Sequence, residues 1–374
     1  MKAVIFSALL LTAMAILLDA PPGAQSPTAQ PEATINTGED LPVVAAWAPD
    51  GQRLAYGTEK KASRRRSPLS ADEDEVYYYP GEVWITDLAG EPKRILKYDF
   101  LRSIEGDFFS FSVERLVWSP DGAKLAVEIT DEKKNTATFL ITAEGKKLKV
   151  GSSPVNYVVG YGGGWLSDSE SLGLLNEAVN PRLLHAVSLV RVTAGRVIPL
   201  FAERTFAAVA WLPGAHQAVL VESDPEFARA PRLAVGNLET GELTVLDELT
   251  EGYLGGLRAT PDETTVSYFV GQEKLAVRGL GPDATIEYWP IPVGRYEWAG
   301  SRRALLFLEP ETPGRRTGWL TLYDSARKTR ERVLRDELIQ DFWVSPDGQR
   351  VAVLTVGLKP VLKVYRLGSV PAAP

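Results

Sequence analysis

The stretch Trp118-Ser-Pro-Asp-Gly122, followed after Ala123 by the apolar run KLAVEI, decides the fold of this chain. The same pattern recurs at Trp47-Ala-Pro-Asp-Gly51 and at Val344-Ser-Pro-Asp-Gly348. In such a turn, Pro fixes φ, Asp bonds its local backbone and Gly permits a positive φ. The strand that follows is apolar on nearly every residue, which indicates burial on both faces. Each copy therefore predicts two antiparallel strands, the second of them sandwiched between neighbouring layers.

Weaker copies of the pattern fill the interval between these three. They begin at Trp165, Trp211, Ala259 and Trp298, so that successive anchor positions are separated by 71, 47, 46, 48, 39 and 46 residues. Propeller repeats recur at about 40–45 residues. A second strand–turn–strand segment follows each turn, as in the stretch LAVGNLETGELTVL, which makes four strands per repeat.

Seven such repeats predict an all-β fold, a single seven-bladed β-propeller of four-stranded antiparallel blades. Six or eight blades are the alternatives. The last repeat supplies only three strands before the chain ends, and the segment 32–39 ahead of the first anchor can add the fourth. Such closure removes the open sheet edges that would otherwise be exposed.

The repeat W-[SA]-P-D-G-x-[KR]-[LV]-A resembles the TolB-type, WD-like propeller repeat. It matches well at Trp47, Trp118 and Val344 and weakly in the four middle copies. The resemblance implies a propeller over roughly residues 35–370. It implies little about function, because such blades occur in binding proteins and as non-catalytic domains of peptidases. The Asp and Gly residues of the turns are structural by this analogy.

The first residues predict an export signal. Lys2 precedes an apolar run from Ala3 to Leu18, which is shorter than the ~20 residues that a spanning helix needs. We expect a cleaved signal peptide over 1–24, a flexible linker over 25–34 and the propeller over 35–374, with an uncleaved N-terminal anchor as the alternative. The expected location is periplasmic or secreted, with no membrane span after cleavage.

Composition narrows the partners and the chemistry. The formal net charge of −7 argues against nucleic acid as a partner, because phosphate binding needs a basic surface. There is no cysteine, so disulfides and thiol chemistry are excluded. The only two histidines, His185 and His216, fall in different repeats and are expected to be ordinary blade or loop residues. We predict no catalytic residue, no cofactor and no metal site, and expect a monomer.

The long first interval contains an insertion unlike the other repeats. Five cations precede an acidic block, Asp72 to Glu75, and three tyrosines follow. Loops on a rigid scaffold often carry function, and Arg and Tyr are enriched at interfaces. The insertion is predicted either to bind a protein or peptide partner or to be a hairpin whose charges neutralise each other. The candidate partner-binding residues are Lys60, Lys61, Arg64, Arg65, Arg66, Tyr77, Tyr78 and Tyr79.

The mouth of the central channel is the second candidate site. Positions three and four before each anchor are expected on the innermost strand of the blade. Several of these carry charged or aromatic side chains, and others are small. The residues proposed to line the mouth are Glu114, Arg115, Tyr161, Arg295 and Asp341. They are predicted either to hold a small polar or peptidic ligand or to pair with one another.

These observations together predict an exported, non-catalytic binding scaffold for protein interaction. The alternative is a propeller-type hydrolase or lyase that acts at the channel mouth.

Overall fold

A computed structural model describes residues 30–367 of the 374-residue chain, apart from short segments. In strands at 63–66, 75–78, 101–102 and 108–109, and at Tyr98, Phe111, Asp131 and Tyr161, only the backbone is described. The segments outside the description are 61–62, 67–74, 79–80, 99–100, 103–107, 110, 132–135, 152–156, 177–183, 225, 227, 251, 301–303, 313–316, 335–337 and 358–359. Over the described residues the chain is all-β, and no helix is long and apolar enough to cross a membrane.

The strands follow one another in groups of four. They are β1 (Ala33–Ile35), β2 (Leu41–Trp47), β3 (Leu54–Glu59), β4 (Ser63–Arg66), β5 (Glu75–Tyr78), β6 (Gly81–Thr86), β7 (Lys93–Tyr98), β8 (Leu101–Arg102), β9 (Phe108–Phe109), β10 (Phe111–Trp118), β11 (Lys124–Asp131), β12 (Thr136–Thr142), β13 (Tyr157–Val159), β14 (Tyr161–Trp165), β15 (Ser171–Leu175) and β16 (Val187–Arg191). The second half comprises β17 (Arg196–Leu200), β18 (Phe206–Leu212), β19 (Gln217–Glu222), β20 (Arg232–Asn237), β21 (Leu243–Glu248), β22 (Tyr253–Ala259), β23 (Thr265–Val270), β24 (Lys274–Gly279), β25 (Ile286–Trp289), β26 (Tyr296–Trp298), β27 (Ala304–Pro310), β28 (Gly318–Asp324), β29 (Thr329–Arg332), β30 (Ile339–Val344), β31 (Arg350–Thr355) and β32 (Leu362–Arg366).

These strands form seven four-stranded antiparallel blades, which confirms the predicted propeller. Five blades are separate sheets: β2-β3-β6-β7, β10-β11-β12-β13, β14 to β17, β18 to β21 and β22 to β25. The sixth, β26 to β29, and the seventh are joined in one eight-stranded sheet by the single pair Gly318↔Ile339. The seven predicted anchors lie at or next to the ends of the innermost strands.

The ring closes through the first described strand. β1 pairs antiparallel with β32, from Ala33↔Val364 to Ile35↔Leu362, and supplies the outer strand of the last blade. Ile35 is buried in the core that blades one, two and seven share. Glu32 receives hydrogen bonds from Arg350 and Arg366 beside this ladder. β1 begins at Ala33, so the segment expected as a linker over 25–34 runs into the closing strand.

The second strand of each blade is buried on both faces, as the apolar runs predict. β15 and β23 are buried at every residue, and β31 at every residue but the first. Each of these strands lies between two strands of its own blade and between two neighbouring blades. The core is therefore a series of interfaces between adjacent blades.

Antiparallel order gives the propeller two distinct faces. The turns that join first and second strands, such as 119–123 after β10, lie on one face, which we call the turn face. The connections from second to third strands and from blade to blade lie on the opposite face, the mouth face. Both additional hairpins, β4–β5 and β8–β9, belong to connections of the mouth face.

Candidate functional site

The innermost strands share a repeated irregularity in their pairing near the mouth face. In five blades one residue is skipped in the pairing with the second strand, which is a β-bulge. The skipped residues are Val43, Glu114, Ala207, Leu254 and Gln340, and all but Val43 are exposed. Bulges re-aim side chains and are frequent beside active sites. The propeller therefore presents a ring of re-aimed residues around its channel.

Two of the predicted mouth residues form a closed charge cluster. Arg295 Nε lies 2.7 Å from Asp341 Oδ1, and its Nη2 lies 2.5 Å from Glu297 Oε1. Nη2 also donates to the Phe342 carbonyl, while the other oxygen of Glu297 accepts from the Val344 amide. Burial opposes the charged form, but the two carboxylates outweigh it and raise the pKa of Arg295. Arg295 and Asp341 thus join the sixth and seventh blades.

The opposite wall of the mouth carries acids. Register places Arg115 directly opposite Glu128 of β11, yet the Glu128 carboxylate accepts a hydrogen bond from the Gly162 amide of the next blade. Burial raises the pKa of Glu128, and the charge of Arg115 opposes this shift. Burial likewise raises the pKa of Glu59, and the neighbouring charge of Glu114 adds to it. Uncharged carboxylic acids are therefore favoured here relative to exposed positions.

The remaining predicted mouth residues stay exposed or lie outside the description. Glu114 is exposed and accepts a hydrogen bond of 2.6 Å from Ser112. Arg115 is exposed as well, and no ion pair joins it to another described residue. Tyr161 begins β14, and its side chain is among those not described.

Arg258 is a charged residue of an innermost strand that the sequence analysis did not single out. It is the last residue before the Ala259 anchor, and the charges of Arg295 and Arg115 act on it. β22 has a second register shift between Gly255 and Arg258, and both glycines at 255 and 256 have positive φ. A Gly-Gly pair just before a charged residue on an innermost strand was the available sequence signal.

The insertion is an extension of blade one. β4 and β5 form a hairpin in which Arg64 lies opposite Tyr77 and Arg66 opposite Glu75. The side chains of Arg64, Arg65, Arg66, Tyr77 and Tyr78 are not described, and Lys61 and Tyr79 lie outside the described residues. Lys60 lies at the base of the hairpin, where its Nζ is 3.8 Å from a carboxylate oxygen of the buried Glu82. The same oxygen forms an ion pair with Arg94.

A serine, a histidine and a glutamate meet on the turn face, although they are far apart in sequence. Ser167 Oγ lies 3.0 Å from His216 Nε2, and His216 Nδ1 lies 3.6 Å from Glu239 Oε1. A hydrolytic triad also needs donors for an oxyanion. The Ser167 amide is already donated to the Pro213 carbonyl, and the Glu239 side chain is 65% exposed. The arrangement connects the turns of the third and fourth blades.

A small open cavity of about 180 Å³ lies on the mouth face of the fourth blade. Its acids and bases neutralise one another. Glu222 lies 2.9 Å from Arg204 and 2.7 Å from Arg232, so this acid is shared by two cations.

Comparison with known proteins shows the fold and no closer relationship. No protein-family model matches the chain, and no curated protein matches it. Among solved structures, the β-propeller domain of Cps50 (Swd1) from Myceliophteria thermophila superposes with a TM-score of 0.58 at 10% identity, over 91% of this chain and 100% of that one. The C-terminal WD40 domain of Sif2 gives 0.52 at 14% identity, over 91% and 99%. An oligogalacturonate lyase in complex with manganese gives 0.59 at 14%, over 86% and 88%. The likeness supports a β-propeller with four-stranded blades; a TolB-type family is not established by it.

Proposed function

We propose that this chain is an exported, non-catalytic scaffold that binds a protein or peptide partner through its mouth face. The observation that carries the proposal is the placement of the two additional hairpins. On the mouth face, β4–β5 stands in the connection between the second and third strands of the first blade, and β8–β9 in the connection from the first blade to the second. The blades are complete without them, because each already has its four strands. The added length is therefore available for recognition.

The composition of the β4–β5 hairpin indicates the kind of partner. Its cations and tyrosines, Lys60–Arg66 and Tyr77–Tyr79, are the residue types enriched at interfaces. Clustered cations on an acidic protein also create a local field that steers an acidic partner. The register brings Glu75 opposite Arg66, so part of that field is cancelled within the hairpin.

Export and membership of the TolB-type group belong to the same proposal. Lys2 and the apolar run to Leu18 support a cleaved signal over 1–24, and the Trp-Ser-Pro-Asp-Gly repeats support the TolB-type resemblance. N-terminal sequencing of the full-length protein recovered from an expressing cell would find a start near residue 25; a start at Met1 would contradict a cleaved signal.

The test of the binding proposal shortens the hairpin. A variant with residues 60–79 replaced by a short Gly-Ser turn should keep its melting temperature nearly unchanged, because loop-closure cost changes slowly with length. A partner identified by pull-down from envelope extract is then purified and titrated against both proteins over a range of salt. We expect binding to weaken at least tenfold on shortening.

A matched variant separates charge from length. Arg64, Arg65 and Arg66 are replaced by Gln in the full-length hairpin, which should remove the salt dependence of binding and leave the fold intact. Unaltered affinity and salt dependence in both variants would show that the hairpin does not bind the partner.

A second candidate, a propeller lyase or hydrolase acting at the mouth, is favoured by one observation. Glu59 and Glu128 have pKa values raised by burial, as a general acid requires. The similar lyase binds manganese. Among the residues that the structure describes, no group of three or more His, Asp or Glu could hold such an ion. Incubation with oligogalacturonate, with and without manganese, tests this candidate; product formed by the wild type and lost in Glu128→Gln would establish it.

A further inference from the structure

The carboxylates near the mouth of the channel leave two of its arginines without an ion pair among the described residues. Glu297 and Asp341 are both held by Arg295. Glu59 and Glu128 have pKa values raised by burial. The Glu128 carboxylate lies opposite Arg115 in the register but accepts a hydrogen bond from the Gly162 amide, so neither Arg115 nor Arg258 has a carboxylate at ion-pair distance among the described residues. Glu114 is the neighbour of Arg115 in the chain, but its carboxylate accepts a hydrogen bond from the Ser112 hydroxyl.

Arg258 is half-buried in the wall formed by the innermost strands. Removal of water from its guanidinium lowers its pKa, and the charges of Arg295 and Arg115 lower it further, while Glu297 opposes them. A cation that has lost part of its water and forms no ion pair is destabilising by itself. Binding of an anion would restore the missing interaction.

The surroundings fix the position of this guanidinium. It lies over the ring of Tyr296, 5.5 Å from the ring centre, which is cation–π distance. The Tyr296 hydroxyl donates to the Gly256 carbonyl and lies 2.9 Å from Ser267 Oγ. Tyr296 is buried as well as hydrogen-bonded, so the ring beneath Arg258 is held in place. The guanidinium is thus preorganised for a ligand above it.

Space beside Arg258 is left by small residues. At the third position before the anchor, the innermost strands of the third, fourth and fifth blades carry Gly162, Ala208 and Gly256, where the second, sixth and seventh blades carry charged side chains. Ala207 and Gly256 are exposed although they lie on innermost strands. A small ligand can therefore approach Arg258 from this side of the channel.

We propose that the channel mouth binds a small organic carboxylate, held by Arg258 with Arg115 facing it from the other wall. A planar guanidinium forms two parallel hydrogen bonds with a carboxylate, and these are strong where water is excluded. Two cations match a ligand of one or two negative charges. The exposed Glu114 on the same face disfavours a polyanion. This site is separate from the hairpin proposed for partner binding.

The test measures the melting temperature of the protein in the presence of succinate. Sodium chloride at equal ionic strength and inorganic phosphate are the comparison anions. A ligand that binds only the folded state raises the melting temperature in a saturable manner. We expect succinate to do so and chloride not to do so. An equal response to chloride would show a general salt effect and overturn the proposal, and a preference for phosphate would overturn the carboxylate assignment.

Substitutions locate the site. Arg258→Met should abolish the succinate response and, without any anion, melt at a higher temperature than the wild type, because it removes an uncompensated charge. Arg115→Gln should weaken succinate binding at least tenfold. Because the Arg115 side chain is exposed, this variant should fold and can be tested even if Arg258→Met does not fold. Arg196→Gln, on the exposed outer strand β17, is the control and should respond as the wild type does. A full succinate response in both mouth variants would refute the proposal.

Discussion

The two ends of the innermost strands differ in what they repeat. Toward the turn face the same interaction recurs between blades: the indole N–H groups of Trp47, Trp118 and Trp165 each donate to the carbonyl of the residue just before the preceding blade's anchor, at 2.9–3.1 Å. The Trp211 indole donates further along the preceding blade, to the Gly162 carbonyl, at 2.7 Å. At the mouth face the bulged positions carry Val, Glu, Ala, Leu and Gln, and the charged residues differ from blade to blade. The repeated end holds the ring together, and the variable end is free to recognise a ligand.

The repeat is incomplete even at the turn face. Trp298 is buried, but its indole N–H has no hydrogen-bond partner among the residues that the structure describes. The fifth and seventh anchors are Ala259 and Val344, which have no indole. Trp211 is only partly buried, although it makes an inter-blade hydrogen bond. Apolar packing between blades therefore carries more of the stability than any one hydrogen bond.

The largest expected effect tests the turn end directly. Trp118 is 7% exposed and packs between the first and second blades, so Trp118→Ala should lower the free energy of unfolding by about 3–5 kcal/mol. Trp118→Phe keeps most of the ring and should cost less. Glu114→Ala, four residues away at the mouth, should change it by less than about 0.5 kcal/mol. Denaturant unfolding measures all three, and similar losses at 114 and 118 would break the comparison.

A smaller loss of stability is expected where an anchor tryptophan packs directly against a glycine of the neighbouring blade. A Cβ on Gly173 would lie 2.3 Å from the Trp211 ring, closer than any real contact. Gly173→Ala should therefore cost about 1–3 kcal/mol through overpacking. Gly281→Ala, where a Cβ meets no atom within 4 Å, is the matched control and should be near neutral. A neutral Gly173→Ala would mean that the indole moves freely between these blades.

The smallest effect is a difference in pH dependence between the two faces. In the turn, burial opposes ionisation of Asp121, but hydrogen bonds from Ser119 and Ala123 and the charge of Lys124 lower its pKa. The stability it contributes is present above the unfolded pKa and is lost as pH falls. Glu128 has a raised pKa, so its contribution is present in acid and is lost as pH rises through the folded value.

Two substitutions test these opposite pH dependences of stability. Asp121→Asn should be most destabilising near pH 7 and have little effect near pH 3. Glu128→Gln should gain stability relative to the wild type as pH rises from 4 to 7. Unfolding free energies from denaturant titrations at several pH values decide the matter, and parallel pH curves for the two variants would remove the distinction between the faces.

Much of the fold follows from local sequence. The Ser-Pro-Asp-Gly turns and the doubly buried strands are consequences of φ preferences and apolar runs within a few residues, so they predict the blades, their number and the closing strand near 32–39. The same locality explains why the basic insertion stands out as an extension between β3 and β6.

Tertiary structure alone decides which side chains meet. The sequence indicated Arg295 and Asp341 as mouth residues, but not that Glu297 would complete their cluster, because this pairing depends on how the sixth and seventh blades are placed. Ser167 and His216 meet only because neighbouring turns are brought side by side. The position of Arg258 over the Tyr296 ring of the next blade follows two register shifts in one strand. Blade placement and bulge register are set by packing around the whole ring, which no local stretch of sequence contains.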